Sequence, residues 1–147
     1  MGYTTEFHGA FVCTPALPAK LRIRLALFSR TRHCARKCDE KYGPEGRLFA
    51  GTDPDASDVI DYNRPADGCP SLWCQWVPSR DGTEIRWDGS EKFYHYVEWL
   101  QFLIDHFLKP NDIRLDGLVK WEGEDWTDRG IIYIQDDKAC TENYGGW

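Results

Sequence analysis

The chain has 147 residues, of which 41% are hydrophobic and 29% charged, a balance typical of one globular domain rather than of two domains or a disordered chain. No apolar run reaches the ~18 residues that a membrane span requires, and residues 1–7 lack the basic start and apolar core of a signal peptide. We therefore expect a single cytoplasmic domain over residues 1–147 with no membrane contact.

The net charge of −6 is unevenly distributed. Residues 20–47 carry nine Lys and Arg against three acidic residues, a net +6, which leaves −12 for the remainder. Such a basic segment can steer a charged partner, or the acidic body of the same molecule can neutralise it. The overall acidity argues against nonspecific binding to duplex nucleic acid as the main role, because phosphate neutralisation dominates that affinity.

Six cysteines allow a zinc or a disulfide interpretation. The two close pairs are Cys34 with Cys38 and Cys69 with Cys74. Cys74 falls in a strand-like alternation that would bury it, and a reducing compartment does not favour disulfides. We expect these residues to act as small hydrophobic side chains, with no metal site and no cofactor.

A strand and a long helix are predicted for the first 38 residues. Residues 4–13 alternate between apolar and polar side chains, which predicts a strand. Pro18 suits the first turn of a helix, and helical periodicity continues over residues 19–38. The helix would have a core stripe and a second apolar edge, formed by Leu21, Leu25 and Phe28 and by Ile23, Leu27 and Cys34 respectively.

The middle of the chain predicts a loop, a short strand and a hairpin. Residues 39–57 are rich in Gly, Pro and Asp and predict a loop, and residues 58–62 a short strand. Two strand-like runs, 72–77 and 83–87, are joined through Asp81-Gly82, which is a strong hairpin signal.

A second helix and a final strand pair complete the pattern. Ser90 is the predicted N-cap, apolar residues recur at helical spacing from Phe93 to Phe107, and Pro110 ends the helix. Residues 113–121 and 130–134 predict two more strands. The order predicts an α+β fold, with an antiparallel or mixed sheet of about five to six strands and two helices. Our leading topology is a ferredoxin-like split βαβ with added strands.

One candidate interaction surface is an aromatic stripe on the second helix. Its residues lie opposite the stripe that would face the core, and they are His95, Trp99, Phe102 and His106. A loop that covers the stripe, or a homodimer or partner interface, would explain it. A metal site made by His95 and His106 is disfavoured, because eleven helical residues separate them by ~16 Å.

A second candidate surface is aromatic and lies on the predicted strands. If helices cover one sheet face only, several of four tryptophans must lie on the other; the four are Trp73, Trp87, Trp121 and Trp126. Such a face could stack bases or nucleotides, with Arg64, Arg86 or the basic helix holding phosphate. The alternative is ordinary cross-strand packing of aromatic side chains.

No sequence motif assigns a reaction. The acidic turn of residues 122–128 offers carboxylates for a divalent cation, but it lacks the spacing of an EF-hand loop, which favours a solvated turn. Phosphate-binding loops, serine-hydrolase elbows and zinc-protease motifs do not occur in the sequence. We therefore assign no catalytic residue and favour a protein that is not an enzyme.

Most of the chain resembles a family of small proteins encoded by phages and bacteria. The segments that carry the resemblance are MGYTTEF at 1–7, DYNRP at 61–65, LWCQWVP at 72–78, WDGSEKFY at 87–94, EWL at 98–100, HFLKP at 106–110 and WEGED at 121–125. Cys34, Cys38 and Cys69 are not part of this pattern. The resemblance implies no catalytic residue, but it implies a protein carried by mobile elements, of a kind that often binds and blocks something.

These observations favour a non-enzymatic binding protein of phage or mobile-element type. It would act as an inhibitor or counter-defence protein that occludes a host partner, and we expect a homo-oligomer, with a homodimer as the simplest form. The alternative is a protein, or a hydrolase, that binds a nucleotide or single-stranded RNA through an aromatic sheet face and Arg residues.

Overall fold

The computed structural model describes residues 2–37, 47–50 and 59–145. In chain order the elements are β1 (Thr5–Thr14), α1 (Ala19–Ser29), β2 (Cys34–Arg36), β3 (Val59–Pro65), β4 (Trp76–Pro78), β5 (Glu84–Trp87), α2 (Tyr96–Leu103), β6 (Arg114–Gly123), β7 (Arg129–Gln135) and β8 (Lys138–Asn143). Helix α2 continues through a π-helical turn at Ile104–Leu108 and a 3₁₀ turn at Lys109–Asn111, and another 3₁₀ turn spans Arg47–Phe49. None of the described helices is long and apolar enough to cross a membrane.

The main sheet has six strands in the order β4-β5-β1-β6-β7-β8. Every neighbouring pair in it is antiparallel. The first four strands of this order, with α1 and α2 as the crossovers, form the ferredoxin-like split βαβ arrangement, and the β7–β8 hairpin extends one edge. For the residues that the structure describes, this confirms the prediction of an α+β fold, with two helices and a sheet of about six strands, in which the β7–β8 hairpin extends a ferredoxin-like core. Strands β2 and β3 form a separate two-stranded sheet.

Alternation along β1 and β6 defines the two faces of the main sheet. The face that the helices cover, called the inner face here, carries the buried side chains Phe7, Phe11, Cys13, Leu115, Val119 and Trp121. The opposite face, called the open face, carries exposed residues such as Glu6, His8, Val12, Leu118 and Lys120. The apolar alternation read from residues 4–13 therefore decides which face receives the helices.

Two phenylalanines organise most of the aromatic side chains. Phe7 lies on the inner face with its ring centroid 4.9–5.6 Å from those of four aromatic residues, which are Trp76, Trp87, Phe93 and Tyr96. Phe28 of α1 has no exposed surface, and its ring contacts Phe49, Trp99, Phe102 and Phe107. Much of the 14% aromatic content is therefore core packing.

The first helix is shorter than its sequence periodicity predicts. It ends at Ser29 rather than at residue 38, and the Thr31 hydroxyl donates to the carbonyl of Leu27 at 2.9 Å. The following residues leave the helical path because Cys34–Arg36 pair with β3, and the His33 amide donates to the carbonyl of Leu72 at 2.7 Å. Ile23 and Leu27, two residues of the second apolar edge of this helix, are 58% and 47% exposed.

The second helix starts later than predicted. Ser90 is not its N-cap, because the helix begins at Tyr96. Lys92 and His95 have φ angles of 60° and 56°, and these left-handed residues interrupt a helical path between Ser90 and Tyr96.

The C-terminal third contains one strand more than predicted. The 113–121 and 130–134 strands are present as β6 and β7, and β8 pairs with β7 through a turn at Asp136 and Asp137. Both turn residues have positive φ, 51° and 61°, as a two-residue hairpin turn of type I′ requires.

In the middle of the chain, the predicted 58–62 strand extends to Pro65 and pairs with β2. Most of the 39–57 loop lies outside the described residues.

Candidate functional site

A cleft in the described part of the chain lies beside Trp73. Its volume is about 560 Å³, within the ~300–1,000 Å³ typical of ligand sites. Its walls come from the end of β3, the segment 70–75 and the segment 91–95. A second cavity of about 320 Å³ shares Trp73, Gln75 and Glu91 with the cleft. The half-buried Trp73 therefore borders space in both cavities.

Hydrogen bonds from buried side chains hold the cleft walls together. The Trp99 indole Nε1 donates to the Ser71 Oγ at 2.6 Å, which ties α2 to the wall at 70–75. The Gln75 Nε2 donates to the Glu91 carbonyl at 2.8 Å, and the Trp87 Nε1 donates to the Gln75 Oε1 at 3.0 Å. These contacts link the walls to one another and to β5, so the cleft is preformed.

The rim of the cleft contains two residues in a strained backbone conformation. Lys92 and His95 both line the cleft and both have the left-handed φ noted above. For residues other than glycine this conformation costs roughly 1–2 kcal/mol each. Strain of this kind concentrates at ligand clamps and active sites, where surrounding structure maintains it.

A fixed cation lies at the β3 end of the cleft. The Arg32 Nε donates to the Tyr62 carbonyl at 2.8 Å, and its Nη2 donates to the Asn63 Oδ1 at 3.2 Å. The guanidinium carbon lies 4.0 Å from the Tyr62 ring centroid and 6.0 Å from that of Trp73. Arg32 is thus held among aromatic rings by two hydrogen bonds and a cation–π contact.

The structure does not gather the predicted tryptophans on the open face. Trp121 is 4% exposed on the inner face, where its Nε1 donates to the Asp128 Oδ1 at 2.9 Å. Trp87 is half-buried, with its ring 5.3 Å from that of Phe7. Their expected open-face position is wrong, because each is in phase with a buried strand neighbour two residues away, Ile85 or Val119.

The other members of that predicted set are dispersed. Trp126 is 58% exposed in the turn between β6 and β7. Arg64 is exposed on β3, outside the main sheet, and the exposed Arg86 pairs with Glu84 at 3.1 Å on the open face. Of the six residues in the set, Trp73 is the one that lines the cleft.

The predicted aromatic stripe of α2 is only partly at the surface. Trp99 has no exposed surface and packs against the rings of Phe28 and His33, so its expected position opposite the core is wrong. Phe102 is half-buried and stacks on Phe28, because the end of α1 covers this side of the helix. His106 is exposed and stacks on Phe102 at 4.0 Å, whereas His95 precedes the helix and lines the cleft.

The acidic turn and two of the cysteines make contacts within the fold. The Asp125 Oδ1 accepts from the amide and hydroxyl of Thr127, and the Asp128 Oδ2 accepts from the Tyr3 hydroxyl.

Burial raises the pKa of the Cys13 thiol to about 11 and also raises the pKa of Cys74. These two thiols stay protonated near neutral pH and are poor nucleophiles. Cys34 lies in β2, and Cys38 lies outside the described residues.

Several residues of the cleft were not identified from the sequence. They are Asn63, Ser71, Lys92 and Tyr94, and Arg32 lies beside the cleft through its hydrogen bond to Asn63. Lys92 and Tyr94 fall in the segment after Ser90 that was predicted to be helical, whereas Asn63 and Ser71 lie in segments without clear periodicity.

Comparison with known proteins adds no further assignment. No protein-family model, no curated protein and no solved structure matches the chain.

Proposed function

We propose that this protein acts by binding rather than by catalysis, and that the cleft beside Trp73 is its binding site. The observation that carries the proposal is a preformed cleft of about 560 Å³ with a half-buried Trp at its wall and strained residues at its rim. Trp and Tyr side chains at the edge of a pocket are frequent anchors of binding energy. Tyr94 is 47% exposed and lines the same cleft.

The partner in this proposal is a host or phage protein. The sequence pattern resembles small proteins of mobile elements, and a protein of that kind would function as an inhibitor or counter-defence protein by occluding its partner. An aromatic or aliphatic side chain of the partner would enter the cleft between Trp73 and Tyr94. The exposed Lys92 and His95 at the rim would then contact polar groups around it. A cytoplasmic site of action belongs to the same proposal.

Affinity capture from a bacterial lysate tests the proposal when variants are compared side by side. Wild type, Trp73→Ala, Tyr94→Ala and Trp126→Ala are immobilised, with Trp126 as the control because it is exposed but outside the cleft. We expect a protein that wild type and Trp126→Ala retain and both cleft variants lose. Equal capture by all four, or by none, would contradict the proposal. Circular dichroism confirms that each variant is folded.

A nucleotide or single-stranded RNA is the second candidate ligand. The position of Arg32 favours it, since a base could stack on Trp73 while the guanidinium meets phosphate oxygens. A thermal-shift screen with nucleoside mono- and triphosphates and a short oligonucleotide tests this candidate. If a nucleotide or RNA binds, at least one compound should raise the Tm of the wild-type protein, and Trp73→Ala should abolish that rise. If no compound shifts the wild-type Tm, this candidate is contradicted.

The homodimer expected from the sequence is a separate proposal. Trp99 cannot anchor it, because this side chain is buried within the fold. The exposed Ile23 and Leu27 of α1 are candidates for this interface. Light scattering across a concentration series, for wild type and Leu27→Glu, measures whether a dimer forms and whether α1 mediates it.

A further inference from the structure

Three metal-ligating side chains converge on the open face of the sheet. Glu6 and His8 are two residues apart on β1, and Glu122 lies on β6 directly opposite Glu6. The His8 Nε2 is 3.8 Å from the Glu6 Oε2 and 3.9 Å from the Glu122 Oε2. Among the residues that the structure describes, this is the one trio of His, Cys, Asp or Glu whose ligand atoms all lie within 4.8 Å of one another.

The spacing of these atoms suits a small divalent cation. Zinc bonds to imidazole nitrogen and carboxylate oxygen are about 2.0–2.2 Å, so two ligands of a tetrahedral ion stand about 3.4 Å apart. The observed 3.8 and 3.9 Å exceed the usual hydrogen-bond length and fall within about 0.5 Å of that spacing. Small side-chain rotations of exposed residues would close the difference.

Charge at this position also favours a cation. Glu6 and Glu122 are directly opposed, and like charges in that relation destabilise a strand pair. Lys120 lies opposite His8, and Arg129 lies opposite Glu122. Neither of these cations forms an ion pair with the two glutamates within the described ranges. A bound ion between the carboxylates would offset their repulsion.

The scaffold beneath the trio is rigid. β1 and β6 pair over ten residues at the centre of the sheet, so the three Cα positions are fixed relative to one another. Two ligands at i and i+2 on one strand, with a third across the ladder, all project from the same face. A cavity of about 150 Å³ borders Glu6 and Glu122, and Arg129 also lines it.

We propose that Glu6, His8 and Glu122 form a site for a divalent transition-metal cation, with Zn²⁺ as the best match to one imidazole and two carboxylates. Three protein ligands leave a coordination position open to water or to an anionic group. None of the three residues lines the Trp73 cleft, so the site is independent of the binding function proposed above.

Zinc titration followed by two-dimensional amide NMR at pH 7.5 tests the site. It reports where the ion binds, which matters because the chain also contains six cysteines. We expect saturable shifts at Glu6, His8 and Glu122 with one equivalent of Zn²⁺. His8→Ala and Glu122→Gln should each weaken this binding about tenfold or more, since even outer-shell partners of a metal ligand have effects of that size.

Glu84→Gln is the matched control. Glu84 is a carboxylate on the neighbouring strand β5, opposite Val12 of β1, and it pairs with Arg86. Its substitution should leave zinc affinity unchanged. Shifts confined to cysteine residues, shifts spread over the acidic surface, or equal affinity in wild type and His8→Ala would each overturn the proposal. None of these outcomes depends on whether the cleft binds a partner.

Discussion

The indole of Trp99 donates to the hydroxyl of Ser71 across 2.6 Å. Trp99 lies in the core at the start of α2, whereas Ser71 lines the cleft. The Ser71 Oγ also lies 3.3 Å from the carbonyl of Tyr94, in the facing segment of the cleft. This single contact therefore couples the hydrophobic core to the geometry of the proposed binding site.

Trp99→Phe should destabilise the protein by about 1–3 kcal/mol, because it removes buried volume and the hydrogen bond to Ser71. Urea unfolding followed by circular dichroism measures the loss. Trp126→Phe is the control, since the 58% exposed Trp126 should change stability by less than about 0.5 kcal/mol. Equal stability of Trp99→Phe and wild type would show that this contact is unimportant.

Gly82→Ala should be more damaging than Gly89→Ala. Both glycines have left-handed φ, 75° and 85°, so both variants incur the conformational penalty. A Cβ on Gly82 would lie 2.6 Å from the Leu17 carbonyl oxygen, whereas one on Gly89 would meet nothing within 4 Å. The steric clash should lower the free energy of unfolding of Gly82→Ala by roughly a further 1–3 kcal/mol, a loss that Gly89→Ala does not share. Urea midpoints of the two variants, compared in one buffer, test this difference, and equal midpoints would contradict it.

Asp81 should give the β4–β5 hairpin a pH-dependent contribution to stability. Its carboxylate accepts hydrogen bonds from the Ser79 hydroxyl and from the amide and hydroxyl of Thr83. The bonds from Thr83, followed by the one from Ser79, lower the pKa of Asp81 from 3.8 to about 2. A depressed pKa stabilises the fold above the unfolded value of 3.8, and that contribution is lost as pH falls towards 2.

The stability difference between wild type and Asp81→Asn should therefore be constant above about pH 5 and shrink between pH 4 and pH 2. Urea midpoints of both proteins across that range measure it. A difference that does not change with pH would mean that the carboxylate charge has no role in the turn.

Cys13 and Cys74 should resist thiol reagents in the folded protein. Burial raises the pKa of both thiols, that of Cys13 to about 11, so little thiolate exists at pH 8. Labelling with a chromogenic disulfide, followed by peptide mass spectrometry, should show both modified only after unfolding. The half-buried Cys140 serves as the internal reference. Modification of Cys13 or Cys74 at the rate seen in denaturant would contradict the structure.

Local patterns predicted several strands of the main sheet but missed β8 and placed β4 too early in the chain. Alternation around Phe7 and Phe11 predicts β1 and its inner face, and Asp81-Gly82 predicts the β4–β5 hairpin, because both signals act between sequence neighbours. The end of α1 was missed, since helical periodicity continues past Ser29 while pairing with β3 redirects the chain.

The cleft depends on contacts between residues that are distant in sequence. Trp99 is in the core because Phe28 and His33 cover it, although its own helical phase suggests the opposite side. Arg32 lies beside the cleft because it bonds to Tyr62 and Asn63, about 30 residues later in the chain. Periodicity within one segment carries no information on such pairings, so the sequence indicated Trp73 and His95 but not the other residues that line the cleft.

The central claim is that the cleft beside Trp73 is the binding surface. Hydrogen–deuterium exchange of the protein alone and in the complex captured from lysate tests this claim most directly. We predict slower exchange at residues 70–75 and 91–95 in the complex, with exchange in β1 and β6 unchanged. Protection confined to the open face of the sheet or to α1, with 70–75 and 91–95 unaffected, would contradict it.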